Sequence, residues 1–350
     1  METINLMDLT IPQIEELMAG LDEPGYRAKQ IYKWVHQKGA ASFDEMTDLP
    51  LVLREKLGSV STPGGLVVIA KSAAADGTAK YLFGLHDGHS VETVFLPHKY
   101  GNSICVSSQV GCRMGCRFCA STIGGLVRDM TAGEIYAQVT GVQADTGQRI
   151  SSVVVMGSGE PMDNLPQVLR FIAMVTAPEG LHIGARHITI STCGVVPGIR
   201  ALAREKLQIT LSVSLHAPND RIREQIMPIN RKYPVADLME ACREYILLTN
   251  RRVTFEYALI YGLNDSPEQA AELGALLKGV LCHVNLIPLN EVEERSFKRS
   301  DPARVRAFKD ILENNGAAVT VRREMGSDID AACGQLRRRI SEGHTLPKRR

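Results

Sequence analysis

The sequence predicts an α/β protein whose larger part is a partial barrel of six β/α units, preceded by a small domain of helices and antiparallel strands. Changes in hydrophobic period carry this prediction. Apolar residues recur at helical steps before residue 60 and with a period of two over 65–97, and after residue 102 strand-like and helix-like segments alternate. Strands that alternate with helices usually pair in parallel through right-handed crossovers.

The N-terminal region is predicted to contain helices followed by hairpins. The helical segments are 11–21, 26–38 and 49–57. The strand-like segments VVIAKS, KYLFGL and SVETVFLP are joined by Asp76-Gly77 and Asp87-Gly88, two dipeptides typical of hairpin turns. We assign these elements to an accessory domain over 1–98.

The second region, 99–340, carries the β/α units. Its six candidate strands are 103–107, 152–156, 187–191, 209–215, 253–260 and 284–288. Helical stretches between or after them include 131–142, 236–248, 267–277 and 302–314. Six units are too few for a closed eight-stranded barrel but suit a partial one. A seventh strand at 318–322 is expected at the edge, and residues 341–350 form a basic tail.

Composition restricts the class of protein. With 44% hydrophobic and 23% charged residues, the chain is typical of globular proteins and not of disordered ones. No apolar run approaches the roughly 18 residues of a transmembrane helix, so no membrane partner is predicted. The start, METINLMDLT, lacks the features of a secretory signal, so we expect a cytoplasmic protein. In that reducing compartment, the eight cysteines are expected to bind metal or perform chemistry.

Positive charge is concentrated towards the C-terminal end. Residues 295–350 contain 14 Lys and Arg against 7 Asp and Glu, although the whole chain has a net charge of +1. The excess includes Arg322-Arg323, Arg337-Arg338-Arg339 and Lys348-Arg349-Arg350. Such runs are either a solvated face or a surface that contacts nucleic-acid phosphates, and charge alone does not decide between them.

Three cysteines form a C-x3-C-x2-C motif just after the first predicted barrel strand: Cys112, Cys116 and Cys119. Thiolates this close can face one centre, and soft sulfur ligands select zinc or iron–sulfur clusters. Structural zinc usually takes four ligands, and no fourth Cys or His follows at a zinc-like interval. A four-iron cluster held by three cysteines would instead leave one iron open to a small molecule.

This motif resembles that of the radical S-adenosylmethionine (SAM) superfamily, in which it holds a 4Fe–4S cluster in a partial β/α barrel. Other segments resemble the bacterial adenine-C2 RNA methyltransferases of the RlmN/Cfr family: CVSSQVGC, GSGEP, ISTCGVVPGI, SLHAPND, MPIN, NLIPLN and DIDAACGQLR. YRAKQIYKW, at 26–34, is similar to the N-terminal domain of that family. The resemblance therefore covers nearly the whole chain.

The resemblance implies catalytic roles for three residues. Cys333 matches the cysteine that one SAM methylates, Cys105 matches the cysteine that resolves the covalent RNA intermediate through a disulfide, and Glu92 matches the proton acceptor. A second SAM would yield the 5′-deoxyadenosyl radical, which takes hydrogen from the S-methyl group so that the methylene radical adds to the base. Three further cysteines match no functional position and are interpreted as packing residues: Cys193, Cys242 and Cys282.

The same resemblance implies a SAM site made by Gly159, Glu160, Ser191, Ser214, Leu215, His216 and Asn290. Each lies at or just beyond the end of a predicted strand, where β/α barrels bind their ligands. Gly159 would let the backbone approach SAM, and Glu160 could pair with its ammonium group.

The family pattern implies an enzyme that makes 2-methyladenosine in 23S rRNA, at the peptidyl-transferase centre, and in tRNA just 3′ of the anticodon. A small flavoprotein is the implied electron donor. One alternative is methylation of carbon 8 of the same rRNA adenosine, as in the resistance branch of the family, although Gly159-Glu160-Pro161 favours carbon 2. A second alternative, a non-catalytic zinc-bearing RNA-binding protein, does not account for Cys105 or Cys333.

Overall fold

The computed structural model describes residues 3–323, 325, 326, 329 and 335. Its N-terminal region contains a short parallel strand pair and three α-helices: β1 (Ile4–Asn5), α1 (Ile11–Gly20), α2 (Arg27–Tyr32), α3 (Leu51–Val60) and β2 (Ser61–Thr62). The segment predicted as one helix over 26–38 is α2 followed by a π-helical turn, Lys33–Gln37. In this turn His36 is buried, and its ring nitrogens face the carbonyls of Tyr32 and Met7 at 3.2 and 3.1 Å.

A mixed sheet and a separate hairpin organise the rest of the described chain. In chain order the strands are β3 (Val67–Ala73), β4 (Ala79–Gly84), β5 (Ser90–Leu96), β6 (Asn102–Cys105), β7 (Gln109–Gly111), β8 (Leu126–Asp129), β9 (Ile150–Val155), β10 (Ile188–Thr192), β11 (Thr210–Ser214), β12 (Val253–Leu259), β13 (Cys282–Pro288) and β14 (Val319–Val321). The ten-stranded sheet has the order β14-β13-β12-β11-β10-β9-β6-β5-β4-β3, and β7 pairs with β8 outside it.

The sheet combines a parallel and an antiparallel part. Neighbouring strands pair in parallel from β6 through β9 to β14, which confirms the predicted barrel strands and the expected edge strand. Strands β3, β4 and β5 are antiparallel, and β5 pairs directly with β6. The hairpin strands therefore extend the barrel sheet itself, and the division of the chain near residue 98 stays a prediction.

Helices cover the outer side of the parallel strands: α4 (Ala132–Thr146), α5 (Leu165–Thr176), α6 (Val196–Arg204), α7 (Asp220–Ile226), α8 (Val235–Thr249), α9 (Pro267–Leu277) and α10 (Pro302–Asn314). The last has the predicted bounds because the Asp301 carboxylate caps it, accepting from the N–H groups of Ala303 and Arg304. Helix α5 buries Val168, Phe171, Ile172 and Val175, an apolar stripe at helical spacing. Within the described part of the chain, no helix has the length and apolar character needed to cross a membrane.

The N-terminal region packs against the start of α4. The Asp8 carboxylate accepts from the N–H of Gly133 at 2.7 Å, so that a negative charge lies at the positive end of this helix. Burial nevertheless raises the pKa of Asp8 above its ordinary value. The Tyr136 hydroxyl donates to the carbonyl of His36 at 2.9 Å. These contacts attach the N-terminal helices to the barrel.

Candidate active site

The carboxyl ends of the parallel strands surround an open cavity. It is lined by the three motif cysteines and by six of the seven predicted SAM ligands: Cys112, Cys116, Cys119, Gly159, Glu160, Ser191, Ser214, His216 and Asn290. Leu215 is fully buried in the main hydrophobic core and does not line the cavity. Residues more than 100 positions apart in the sequence thus meet at one end of the barrel.

Main-chain hydrogen bonds fix the cysteine loop. The N–H of Cys112 donates to the carbonyl of Gly125 at 3.0 Å, next to the β7–β8 hairpin that closes the base of the loop. The Thr122 hydroxyl donates to the carbonyls of Cys116 and Cys119 at 3.1 and 3.0 Å. The loop is therefore preorganised by contacts that do not involve its sulfur atoms.

Burial controls the protonation of these thiols. It raises the pKa of Cys112 to about 12 and that of Cys116 well above its ordinary value, and repulsion among the three cysteines adds to both shifts. The guanidinium of Arg223 acts on Cys116 in the opposite direction. Buried thiols of this kind ionise when a metal compensates their charge, and metal binding then releases their protons.

The number and the chemistry of the motif cysteines fit a four-iron cluster. Zinc requires its ligands around one atom, whereas a four-iron cluster binds each of three thiolates at a different iron. Three thiols that line one cavity together with the predicted SAM ligands fit the cluster.

Gly159 and Glu160 line the cavity in the segment that directly follows β9. The Glu160 carboxylate is 2% exposed and accepts from the N–H groups of Met162 at 3.0 Å and Cys193 at 2.7 Å. Burial raises its pKa, so a ligand ammonium group beside it would stabilise its charged form. Gly159 has a φ of +113°, and a Cβ there would lie 2.7 Å from the Cβ of Gln109. Only glycine fits this position.

His216 has an uncommon backbone conformation, with a φ of +56°. The N–H of Ala258 donates to its Nδ1 at 2.9 Å, which assigns the ring proton to Nε2. Burial, with a smaller effect of Arg223, lowers its pKa to about 3. The ring contacts Phe118 of the cysteine loop edge to face, with centroids 4.9 Å apart. His216 therefore lines the cavity as a neutral group at physiological pH.

Arg223 is a site residue that the sequence did not single out. Its side chain is fully buried in α7, and it donates to the carbonyls of Cys193, Ser214 and Leu215 at 2.6, 3.1 and 3.0 Å. It also donates to the Asn230 side chain at 3.0 Å. One cation thus joins the ends of β10 and β11 to the MPIN segment. Its position in a short polar helix gave no signal of burial.

Two further lining residues were also missed. Cys193, interpreted from the sequence as packing, lines the cavity directly after β10; its strand-end position was the available signal. Glu256 points into the barrel from β12, where it accepts from Ser212 at 2.6 Å and from Asn285 at 2.8 Å. An acidic residue inside an otherwise apolar strand was the corresponding signal for Glu256.

Cys105 lies on the inner face of the sheet. It is 6% exposed, pairs with Val94 across β5 and β6, and packs against that side chain. It lines a second cavity, which shares Met156 and Asn290 with the first. The predicted resolving cysteine is thus adjacent to the cavity of the motif cysteines.

Glu92 lies on the same face of the sheet, two residues before Val94 on β5. It is 7% exposed, and its carboxylate forms an ion pair with Lys80 at 3.3 Å. It lines a third cavity, which shares Ser121 with the first. The structure thus places Glu92 and Cys105 along one side of the site.

Cys333 lies outside the described residues, as do the Arg337–Arg339 run and the tail 341–350. Two described residues bracket Cys333 in the sequence. Ile329 packs against Cys105 and Val94, and the side-chain amide of Gln335 donates to the carbonyl of Glu291 at 3.1 Å. Both contacts are at the carboxyl end of the barrel.

Comparison with known proteins agrees with this geometry. The Radical SAM superfamily matches residues 106–274, and the family described as Ribosomal RNA large subunit methyltransferase N-terminal domain matches residues 4–62. A probable dual-specificity RNA methyltransferase RlmN from Pelotomaculum thermopropionicum is 60% identical over 342 residues, which are 97% of this chain and 93% of that protein. The chain belongs to the RlmN family of radical SAM methyltransferases.

Other relatives of the family extend the match. The probable dual-specificity RNA methyltransferase RlmN from Desulforamulus reducens is 56% identical, covering 96% of each chain. A solved radical SAM methyltransferase from Sphaerobacter thermophilus is 45% identical, with a TM-score of 0.92 over 95% of this chain and 99% of that one. Membership of the radical SAM superfamily means that the enzyme uses a 4Fe–4S cluster and SAM. The zinc-bearing, non-catalytic alternative is therefore wrong.

Proposed function

We propose that the enzyme methylates carbon 2 of adenosine in 23S rRNA, at the peptidyl-transferase centre, and in tRNA, directly 3′ of the anticodon. Relatives named dual-specificity RNA methyltransferases support an RNA substrate. The observation that carries the proposal is the placement of Cys105 and Glu92 on one sheet face, next to the cavity of the three motif cysteines. A base bound there would meet a thiol and a carboxylate at the same time.

We assign the cofactor ligands by position in the cavity. Cys112, Cys116 and Cys119 hold the cluster, and SAM is held by Gly159, Glu160, Ser191, Ser214, His216 and Asn290. Leu215, which the family pattern also implies, does not line the cavity, and its N–H and carbonyl already bond Glu256 and Arg223, so we assign it a supporting position in the core. When bound, SAM and the cluster would supply a methyl group and a 5′-deoxyadenosyl radical, with two SAM molecules used per turnover. Carbon 2 of adenine is electron-poor and cannot attack the methyl of SAM, which is why radical chemistry is required.

Glu92 is the proposed proton acceptor for the hydrogen on carbon 2. The ion pair with Lys80 fixes its carboxylate on the inner face of the sheet. A carboxylate held in this way can remove a proton from a base in the adjoining cavity.

Two thiols complete the proposed reaction. Cys333 carries the methyl group and becomes joined to the base through a methylene carbon. Once the adduct has given up one electron, the Cys105 thiolate attacks the Cys333 sulfur and the disulfide forms. The bond from that sulfur to the methylene carbon breaks with its electron pair on that carbon, which takes up a proton to become the methyl group, and a thiol reductant reopens the disulfide before the next turnover. The packing of Ile329 against the apolar cluster of Val94 and Cys105 supports this pairing, because Ile329 precedes Cys333 by only four residues.

We further propose that a small flavoprotein delivers the electron for SAM cleavage and that the enzyme works in the cytoplasm, where both RNA substrates are found. Residues 1–98 would form the accessory domain, 99–340 the catalytic domain and 341–350 a basic tail. The match of residues 4–62 to an N-terminal domain family supports a separate role for part of this region.

Nucleoside mass spectrometry tests the function directly. A strain that lacks the gene should contain no 2-methyladenosine in 23S rRNA or tRNA, and the wild-type gene should restore both. Cys333→Ala should restore neither, whereas Cys242→Ala, a control in the buried core of α8, should restore both. The appearance of 8-methyladenosine in 23S rRNA would establish the carbon-8 alternative instead.

A further inference from the structure

A cleft beside Cys105 has a strongly cationic rim that the proposed reaction leaves unused. Its volume is about 570 Å³, within the range of small-molecule sites. Among the described residues that line it, four are Lys or Arg and one is acidic: Lys99, Arg299, Arg322, Arg323 and Asp76. The cleft is also lined by Cys105, and it shares Met156, Ile287, Asn290 and Arg322 with the cavity of the motif cysteines.

An aromatic pair, one ring of which is exposed, also lines this cleft. Tyr100 is 87% exposed, and its ring is nearly parallel to that of His98, at 3° with centroids 5.1 Å apart. Both residues lie in the short loop between β5 and β6, the strands that carry Glu92 and Cys105. With His98 on one face, the other face of Tyr100 is presented to solvent.

We propose that this cleft binds single-stranded RNA next to the target adenosine, with a neighbouring base stacked on Tyr100 and its phosphates at Lys99 and Arg323. The proposal deepens the proposed function and rests on it. Unpaired bases stack on exposed aromatic rings, and cationic side chains follow the phosphates. An adenosine in a loop must be drawn out of its stack to reach a buried thiol, and a platform for its neighbour would replace the missing stacking.

Charge and position favour RNA over an acidic protein as the occupant. A protein partner would need a broad surface, whereas this feature is a concave cleft that ends at the proposed resolving thiol. The combination of one exposed aromatic ring with several cations is the arrangement used by proteins that bind single strands.

Binding of an unmodified tRNA transcript to the cluster-containing holoenzyme tests the proposal. Tyr100→Ala should weaken binding roughly 5- to 100-fold, because one base can no longer stack, and Tyr100→Phe should restore it. Arg323→Ala should weaken binding and lower the slope of log Kd against log salt by about 0.7–0.9, the effect of neutralising one phosphate fewer. SAM affinity, measured without RNA, should be unchanged in all three variants.

The controls lie at the opposite end of the barrel. Leu247 is 79% exposed near the end of α8, and Lys278 follows α9 just before β13, so both precede strands instead of following them. Leu247→Ala and Lys278→Ala should bind the transcript as the wild type does. If Tyr100→Ala and Arg323→Ala also bind it normally while the wild type forms 2-methyladenosine, the cleft proposal is overturned and the function stands. Absence of product from the wild type would instead overturn the function.

The remaining outcome concerns the electron donor. If Arg323→Ala leaves RNA affinity unchanged but slows reduction of the cluster by a flavoprotein, the cleft is a protein-docking surface and the RNA proposal is wrong.

Discussion

Arg223 donates a 2.6 Å hydrogen bond to the main-chain carbonyl of Cys193, and both residues are buried. The N–H of the same cysteine donates to Glu160 at 2.7 Å. The main chain of Cys193, directly after β10, is thus held between a buried guanidinium and a buried carboxyl group. Arg223 and Glu160 are linked through this residue, so a change at either should move the other.

Arg223→Lys should disrupt the site because a lysine ammonium group cannot span the four acceptors that the guanidinium reaches. We expect a decrease of about 1–3 kcal/mol in the free energy of unfolding and a roughly tenfold weaker affinity for SAM. Urea unfolding and equilibrium binding measure the two effects. Arg200→Lys, on an exposed ion pair with Glu244, is the matched control and should change neither. Wild-type SAM affinity in Arg223→Lys would contradict the link.

Glu92→Gln should keep the shape of the side chain but remove its capacity to accept a proton. Formation of 2-methyladenosine should slow by roughly 100-fold or more, while methylation of Cys333 and RNA binding persist. Single-turnover assays with labelled SAM separate these steps. Glu244→Gln, at a partly exposed position away from Glu92, is the control. An unchanged product rate in Glu92→Gln would exclude this residue as the base.

Much of the architecture could be predicted because parallel strands and their ends have local signals. The alternation of strand-like and helix-like segments gave the barrel strands and the bounds of α10, whose start the Asp301 cap fixes. The family resemblance assigned Gly159, Ser191 and Ser214 to one site, their strand-end positions agreed with it, and all three line one cavity. Strand periods and strand ends can be recognised from residues that are close together in the sequence.

Long-range packing explains what could not be predicted. The pairing of β5 with β6 depends on tertiary register, so the sequence did not show that the hairpin strands extend the barrel sheet. Strands β7 and β8 are too short to give a period. Arg223 resembles a surface residue because its acceptors, except for Asn230, are main-chain carbonyls, which have no sequence signature.

The buried His36 should make stability depend on pH. Burial lowers its pKa from 6.5 to about 4. Between these values the unfolded chain binds a proton that the folded chain does not, so the free energy of unfolding should fall by about 3 kcal/mol in total as pH decreases through this window, and should be unaffected by this group above it. Urea midpoints between pH 4.5 and 7.5 measure the trend.

The contribution of His36 can be separated from that of other histidines by substitution. His36→Gln retains a hydrogen-bond donor but does not titrate. The free energy of unfolding of this variant should therefore fall less steeply below pH 6.5 than that of the wild type. His187→Gln, at an exposed histidine, should follow the wild type. Equal slopes in all three proteins would rule out His36 as the source.

The arginine run near the C-terminal end is expected to bind RNA and to take no part in chemistry. Replacing Arg337, Arg338 and Arg339 by Ala should weaken RNA binding and reduce the salt slope by about 0.7–0.9 for each phosphate that is no longer neutralised. Methylation of Cys333 by SAM should persist, because that step requires no RNA. A salt slope equal to that of the wild type would identify the run as a solvated face.

The two proposed catalytic thiols should give opposite phenotypes. Cys333→Ala should form neither product nor adduct, because nothing carries the methyl group. Cys105→Ala should still add to the base but cannot break the bond to the RNA, so a protein–RNA adduct should accumulate and be visible on a denaturing gel. Since Cys105 packs against Val94 in a small apolar cluster, its removal should cost little stability. Cys282→Ala controls for removal of a thiol elsewhere. Normal turnover of Cys105→Ala without a trapped adduct would exclude the two-thiol route and favour direct transfer.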